Sequence, residues 1–483
     1  MLGKETSSED KKEDGNVDSI IEVKDGNPVA VAGMNFKSGN GSISKLSSKV
    51  EMVDKAATAE TKGVYAYLAA VGNTDSVIYG HQDDTWQKAG SGELSESDTK
   101  DVTGSNAGVL GIDTLSLTGN EYSVTRYNDE LAEKAGLEKV DTSNQSIQKA
   151  NVMAAARMTN YNISNGAIVT LSAHMPNFSV VKENPNYNSE TAPTYAKYDF
   201  SGYTPNTLTG DVANEILPGG KYNEKYNAFL DMIVDYAKQV EGPIIFRPFH
   251  ECTGSWFWWG AAFCDEEQYK NIFRYAVCYL RDEKDVHNII YSYGPGSEAE
   301  SVEDYALRYP GDEYVDMVGF DMYDFDPKTD EDGYDFISNF TRELGIVQAF
   351  ATSHNKLFAI TETGLASSSP DKGHNQTALH KTGNNQPDWY NKMLNAVANS
   401  KASYMLLWAN FGKRNGYYTP YVDSVNEDGS LHGHEMLDNF ISFYNDERTI
   451  FANDQKDALK SIKGSKVSTE AVSDVYGLID GIR

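Results

Sequence analysis

PIIFRPFHE, residues 243 to 251, begins as an unbroken apolar run and ends in an arginine, a histidine and a glutamate. A short run that is apolar on both faces reads as a strand buried on both sides, the condition of a parallel sheet covered by helices. Seven more stretches share that form. They are SVIYGHQ around 76 to 82, GVLGIDTLSL around 108 to 117, AIVTLSAH from 167 to 174, NIIYSYGPG from 288 to 296, VDMVGFDMY from 315 to 323, LFAITETG from 357 to 364 and YMLLWANF from 404 to 411. Helical patterns separate them. Tyr269, Ile272, Phe273, Ala276, Val277 and Leu280 fall at helical spacing behind Asp265 and Gln268, which are spaced as a capping box. Ser301 and Asp304 mark another helix start, and segments 222 to 241, 334 to 354 and 386 to 399 carry helical patterns as well. Eight such βα units close a ring rather than an open sheet, so the expected fold is α/β, a single (β/α)8 TIM barrel occupying residues 17–483. Residues 1–16, MLGKETSSEDKKEDGN, are charged and Ser-rich with little to bury, and read as a disordered tail or linker.

Composition narrows the partners. A formal charge of −29 repels phosphate backbones and anionic lipid, which argues against nucleic acid and favours a neutral ligand. No apolar run approaches the ~20 residues of a membrane span. Cys252, Cys264 and Cys278 are too few for a disulfide framework and lack zinc spacing, so buried thiols are expected. His432 and His434 have no evident third ligand, and no metal or cofactor is expected. The stretch 175–221, rich in Asn, Thr, Pro and Tyr, reads as a long βα loop, and such loops build the active face of a barrel.

Chemistry concentrates at two strand ends. In FRPFHECTGSWFWWG, residues 246–260, Arg247, His250 and Glu251 crowd the end of the fourth strand beside large aromatic rings. A glutamate there points into the barrel mouth, where aromatic neighbours keep it dry enough to hold a proton near neutrality. In ITETG, residues 360–364, Glu362 ends the seventh strand. Two carboxylates facing one mouth, if about 5 to 5.5 Å apart across a bound sugar, suit a double displacement with retention of configuration.

RPFHE followed by GSWFWWG resembles glycoside hydrolase family 26, whose members are mostly endo-β-1,4-mannanases. The resemblance implies a glycoside hydrolase catalytic domain, with Glu251 as acid/base on strand four and Glu362 as nucleophile on strand seven. It also implies a sugar-binding set of His174, His250, Trp256, Asp321, Tyr323 and Trp408, with Arg247 orienting a carboxylate and, with less weight, His81 in YGHQDD lining the outer cleft. Trp408 suits a stacking floor and Tyr323 a hydrogen bond to the nucleophile. The implied substrate is β-mannan, glucomannan or galactomannan, and a polymeric substrate implies a secreted or cell-surface protein. β-1,3-Xylan or mixed-linkage β-glucan is the alternative within the same mechanism, and a non-catalytic carbohydrate-binding protein is the alternative outside it. Oligomeric state is not legible in the sequence.

Overall fold

All eight expected strands form: β1 Val77–Gln82, β2 Val109–Asp113, β3 Ile168–Ala173, β4 Ile244–Pro248, β5 Ile289–Tyr293, β6 Met317–Asp326, β7 Leu357–Ser367 and β8 Tyr404–Leu407. In this computed structural model they pair in parallel and in chain order, and β8 pairs with β1 to close the ring, giving a (β/α)8 barrel. A further strand, β9 Thr449–Ile450, adds to β1 outside the ring. The structure describes residues 49–326, 335–367, 379, 381–382, 384–398 and 400–463, with short strands at Ile21–Glu22, Val29–Val31, Lys45–Leu46 and Ser468–Thr469. The expected tail, residues 1–16, lies outside the described residues, as do positions 334 and 399 of two expected helices.

The principal helices are α1 Ala59–Gly72, α2 Ile147–Ser164, α3 Asn223–Gln239, α4 Glu266–Cys278, α5 Phe336–Ser353, α6 Trp389–Val397, α7 Leu437–Asn445 and α8 Ala452–Ile462. The capping box ahead of α4 is present: Asp265 accepts from the Gln268 backbone N–H at 2.8 Å while the Gln268 side chain accepts from the Asp265 N–H at 2.9 Å. The second strand stops at Asp113, short of the expected 117. Its carboxylate accepts the Leu115 N–H at 3.0 Å and so caps a short helix, Thr114–Thr118, in place of further strand.

Alternation along the strands sorts the core into two layers. Ile78, Ile245, Ile290, Leu357, Ala359 and Leu406 fill the barrel interior, whereas Tyr79, Phe246, Tyr291, Phe358, Ile360 and Leu407 face the helices. Helix α1 shares the interior layer and is buried almost all round, so it plugs the lower end of the barrel. Each fully buried Val or Leu of that plug contributes roughly 1.5–3 kcal/mol. Chemistry is thereby confined to the opposite, C-terminal end of the ring.

Candidate active site

Above the apolar floor the interior turns polar around Arg247, which follows Ile245 on the inward face of β4 and is buried. Gly294 makes room for it, since a Cβ there would stand 2.8 Å from the Arg247 Cδ. The guanidinium donates from Nη1 to Asp321 at 2.7 Å and from Nη2 to Glu362 Oε1. Thr361 Oγ1 donates to the other Asp321 oxygen at 2.6 Å, and Tyr323 donates its hydroxyl to Glu362 Oε2 at 2.9 Å. Glu362 thus accepts from two donors that fix both of its oxygens.

How Glu362 comes to face inward depends on one irregularity. Along β7, Leu357 and Ala359 point in and Phe358 and Ile360 point out, so strict alternation would send residue 362 outward. The register with β6 slips at this point: Phe320 pairs with Ile360, but Asp321 pairs with Glu362, leaving Thr361 as an extra residue. This β-bulge puts Thr361 and Glu362 on the mouth side together, the re-aiming for which bulges are used beside active sites.

Glu251 is placed by a different device. After β4 the chain turns sharply, with Phe249 and Glu251 both at φ +52°, a left-handed conformation uncommon for side chains of this kind. The turn is held by the Glu251 N–H donating to Gly294 O at 2.9 Å, by Trp259 Nε1 donating to His250 O at 2.7 Å and by Tyr269 donating to Phe249 O at 3.1 Å. Trp256 Nε1 donates to Glu251 Oε2 at 2.7 Å. Burial first, and then the nearby charge of Glu362, push the Glu251 carboxyl up to about 7, against the opposing effects of Trp256 and Arg247. One carboxylate oxygen each of Glu251, Asp321 and Glu362 lies within 4.8 Å of the other two. That proximity suits the retaining geometry of about 5–5.5 Å between carboxyls rather than the inverting one of about 6.5–9.5 Å. Three carboxylates this close meet the distance condition for a cation, but Arg247 bonds two of them and supplies the countercharge.

Two histidines complete the inner wall. His174, just beyond β3, holds Asp113 through Nδ1 at 2.8 Å, and its Nε2 lies 3.3 Å from Nε2 of His250. Burial works against a charge on His174, but Asp113, with help from Glu362 and Glu121, outweighs it and raises the imidazole above its usual range. Burial, His174 and Arg247 drive His250 well below that range, so it stands neutral. Trp408 follows Tyr404 and Leu406 on the inward face at the end of β8, packs on the barrel interior and lies 6.0 Å from the His174 ring.

The structure therefore gathers Glu251, Glu362, Arg247, Asp321, Tyr323, His174, His250, Trp256 and Trp408 at one mouth. His81 does not join them. It shares the outward face of β1 with Tyr79, is fully buried, and bonds Asp84 at 2.8 Å beneath the helical layer, so parity removes it from the outer cleft. Asp113, the partner of His174, was not singled out in the sequence because it sits inside a run that reads as strand; an acid immediately before a short helical pattern was the available signal. Thr361 carries no signal at all, since a bulge is a matter of register. Cys252 and Cys264 are buried and Cys278 is partly buried; all three are free thiols.

Comparison with known proteins agrees with this geometry. A mannan endo-1,4-beta-mannosidase from Bifidobacterium adolescentis is 35% identical over 393 residues, 79% of this chain and 34% of the relative. The chain spans about a third to a half of the length of the first curated relatives it matches. Among solved structures, the catalytic domain of a Bacillus endo-β-1,4-mannanase superposes with a TM-score of 0.66 at 29% identity, covering 87% of this chain and 98% of that one. A Cellulomonas fimi endo-β-1,4-mannanase double mutant gives 0.65 at 28% identity, covering 87% and 81%. The family model described as glycosyl hydrolase family 26 matches residues 53–357, from ahead of the α1 plug to the start of β7, so the chain belongs to glycosyl hydrolase family 26.

Proposed function

We propose that the protein is a retaining endo-β-1,4-mannanase acting on mannan, glucomannan or galactomannan. The observation that carries the mechanism is the unlike environment of two close carboxyls: Glu251 in a dry site that favours its proton, Glu362 accepting from Arg247 and Tyr323. In the first step Glu362 attacks the anomeric carbon, the glycosidic C–O bond breaks, and Glu251 gives its proton to the departing oxygen. In the second, Glu251 takes a proton from water, whose oxygen attacks the same carbon and frees Glu362. Support for mannan over β-1,3-xylan or mixed-linkage glucan comes from the mannanases among its relatives. Work on a polymer also supports a secreted or surface-anchored location.

The test is release of reducing sugar from linear mannan, galactomannan, β-1,3-xylan and mixed-linkage glucan, with product lengths followed over time. Mixed mannooligosaccharides appearing early are expected. Silence on mannan with cleavage of glucan or xylan moves the substrate and keeps the mechanism, and binding without turnover on every polymer overturns the enzyme. Glu362→Ala abolishes turnover on all substrates, whereas Glu251→Ala spares aryl glycosides with good leaving groups; equal loss in both tests refutes the assignment of roles.

A further inference from the structure

Four successive strands end in a file of polar groups that runs toward Glu251. His250 follows β4 and His174 follows β3, Asp113 ends β2 and bonds His174, and Asp83 follows β1. Asp83 is fully buried at φ +55°, and its N–H donates to Gly111 O of β2 at 2.8 Å. Glu121 returns to it from beyond the short helix that Asp113 caps, its own N–H donating to Leu115 O at 3.2 Å. A side-chain hydrogen bond joins Asp83 and Glu121, yet among the described residues Asp83 Oδ2 and Glu121 Oε2 are buried with no donor group to serve them. Ionised carboxylates only accept, so a bond between the two requires a proton held by the pair.

The charges around the pair keep that proton in place. Burial comes first for both carboxyls; Glu121 and Asp113 then raise Asp83 well above the ordinary range, and Asp113 raises Glu121. Arg126 opposes the rise, but its Nε and Nη2 hold Glu130, each at 3.1 Å, and its Nη1 reaches the backbone oxygen of Glu121 at 3.3 Å. Tyr203, which also faces Glu121, is pushed up to about 12 by burial and nearby carboxylates and stays neutral. The shared hydrogen bond raises Asp83 and lowers Glu121, so Asp83 is the donor and the charge falls on Glu121, the member that acts on His174. His174 faces Asp113, Glu362 and Glu121, and in its charged form donates from both nitrogens, to Asp113 at 2.8 Å and to His250 at 3.3 Å.

We propose that Asp83 and Glu121 are a positioning pair that shares one proton, sets the charge of His174 and through it holds His250 beside Glu251. Its effect on turnover rests on the glycanase reading above; its effect on His174 does not. The test is a nitrogen NMR titration of the imidazoles in the whole chain, with the His174 signal assigned by its loss in His174→Gln. Asp83→Asn donates to Glu121 at every pH, leaves it ionised, and is expected to raise the His174 midpoint. Glu121→Gln removes the nearer charge and should lower that midpoint by about half to one unit. On the glycan that the wild type cleaves best, kcat/KM of Glu121→Gln should follow the imidazole, about three- to tenfold below wild type on the alkaline side of the midpoint and equal to it on the acid side. Shifts of the same sign in the two variants, or no shift in either, overturn the pair. So do carboxyl carbon signals of Asp83 and Glu121 that titrate singly, in the ordinary carboxylate range, in the wild type itself. The expected imidazole shifts in a protein that cleaves no glycan would uphold the pair and overturn the glycanase reading alone.

Discussion

Replacing Trp256 with phenylalanine removes one hydrogen bond from one catalytic carboxyl, and the sign of the result follows from the structure. The indole Nε1 donates to Glu251 Oε2 at 2.7 Å and so favours the ionised form, partly offsetting the burial and the Glu362 charge that raise Glu251 to about 7. Without that donor the carboxylate is less stable and the proton is held to higher pH. A hydrogen bond to a charged group contributes roughly 1.5–3 kcal/mol. Trp256 is 44% exposed, so the low end applies, and about 1.4 kcal/mol is about one pH unit. The alkaline limb of kcat/KM on an oligosaccharide, which reports the acid in the free enzyme, should therefore move from about pH 7 to about pH 8. The absolute rate falls as well, because the exposed indole at the mouth is exchanged for a smaller ring, but the position of the limb is independent of that loss. With an activated aryl glycoside, whose departure needs little protonation, the limb should be shallow in both proteins. An alkaline limb that stays in place, or moves to lower pH, refutes the account of how Glu251 is tuned.

Three further outcomes are expected. Tyr323→Phe takes one donor from Glu362 and should lower kcat by about 10- to 100-fold with a small change in KM, read from steady-state kinetics. Arg247→Met leaves Asp321 and Glu362 buried without their countercharge and should cost about 3–5 kcal/mol in denaturant unfolding, partly restored by adding Asp321→Asn. Glu251→Gln should alter the pH dependence of stability: folding raises this carboxyl from 4.5 to about 7, so its favourable contribution is complete below pH 4.5 and is lost as pH rises through 7. The variant should gain up to about 3 kcal/mol on the wild type between pH 4.5 and pH 8, and a constant difference across that range refutes the shift.

The fold was legible because each barrel strand is apolar on both faces, and PIIFRPFHE, IVTLSA and MVGF cannot be mistaken for half-exposed strands. The two carboxyls proposed as the catalytic pair were legible as residues of one mouth because both glutamates end such runs. What stayed hidden depends on backbone geometry. His81 sits in a motif that looks like mouth, but it shares parity with Tyr79 and so faces the helices. Asp113 reads as strand until its carboxylate is seen to cap the next turn. The plug α1, buried nearly all round, has little periodicity by which its place could be read.

The slip of register at Thr361 has a consequence for reading other members of the family. Deleting Thr361 would remove its hydrogen bond to Asp321 and restore plain alternation along β7, but Glu362 would then follow the outward-facing Ile360 directly and keep its place on the mouth side. Such a chain would still present Glu362 at the mouth, beside an Asp321 held by Arg247 alone. A one-residue gap before the ExG is thus a silent difference in an alignment, whereas a flat strand of unchanged length would turn Glu362 toward the helices.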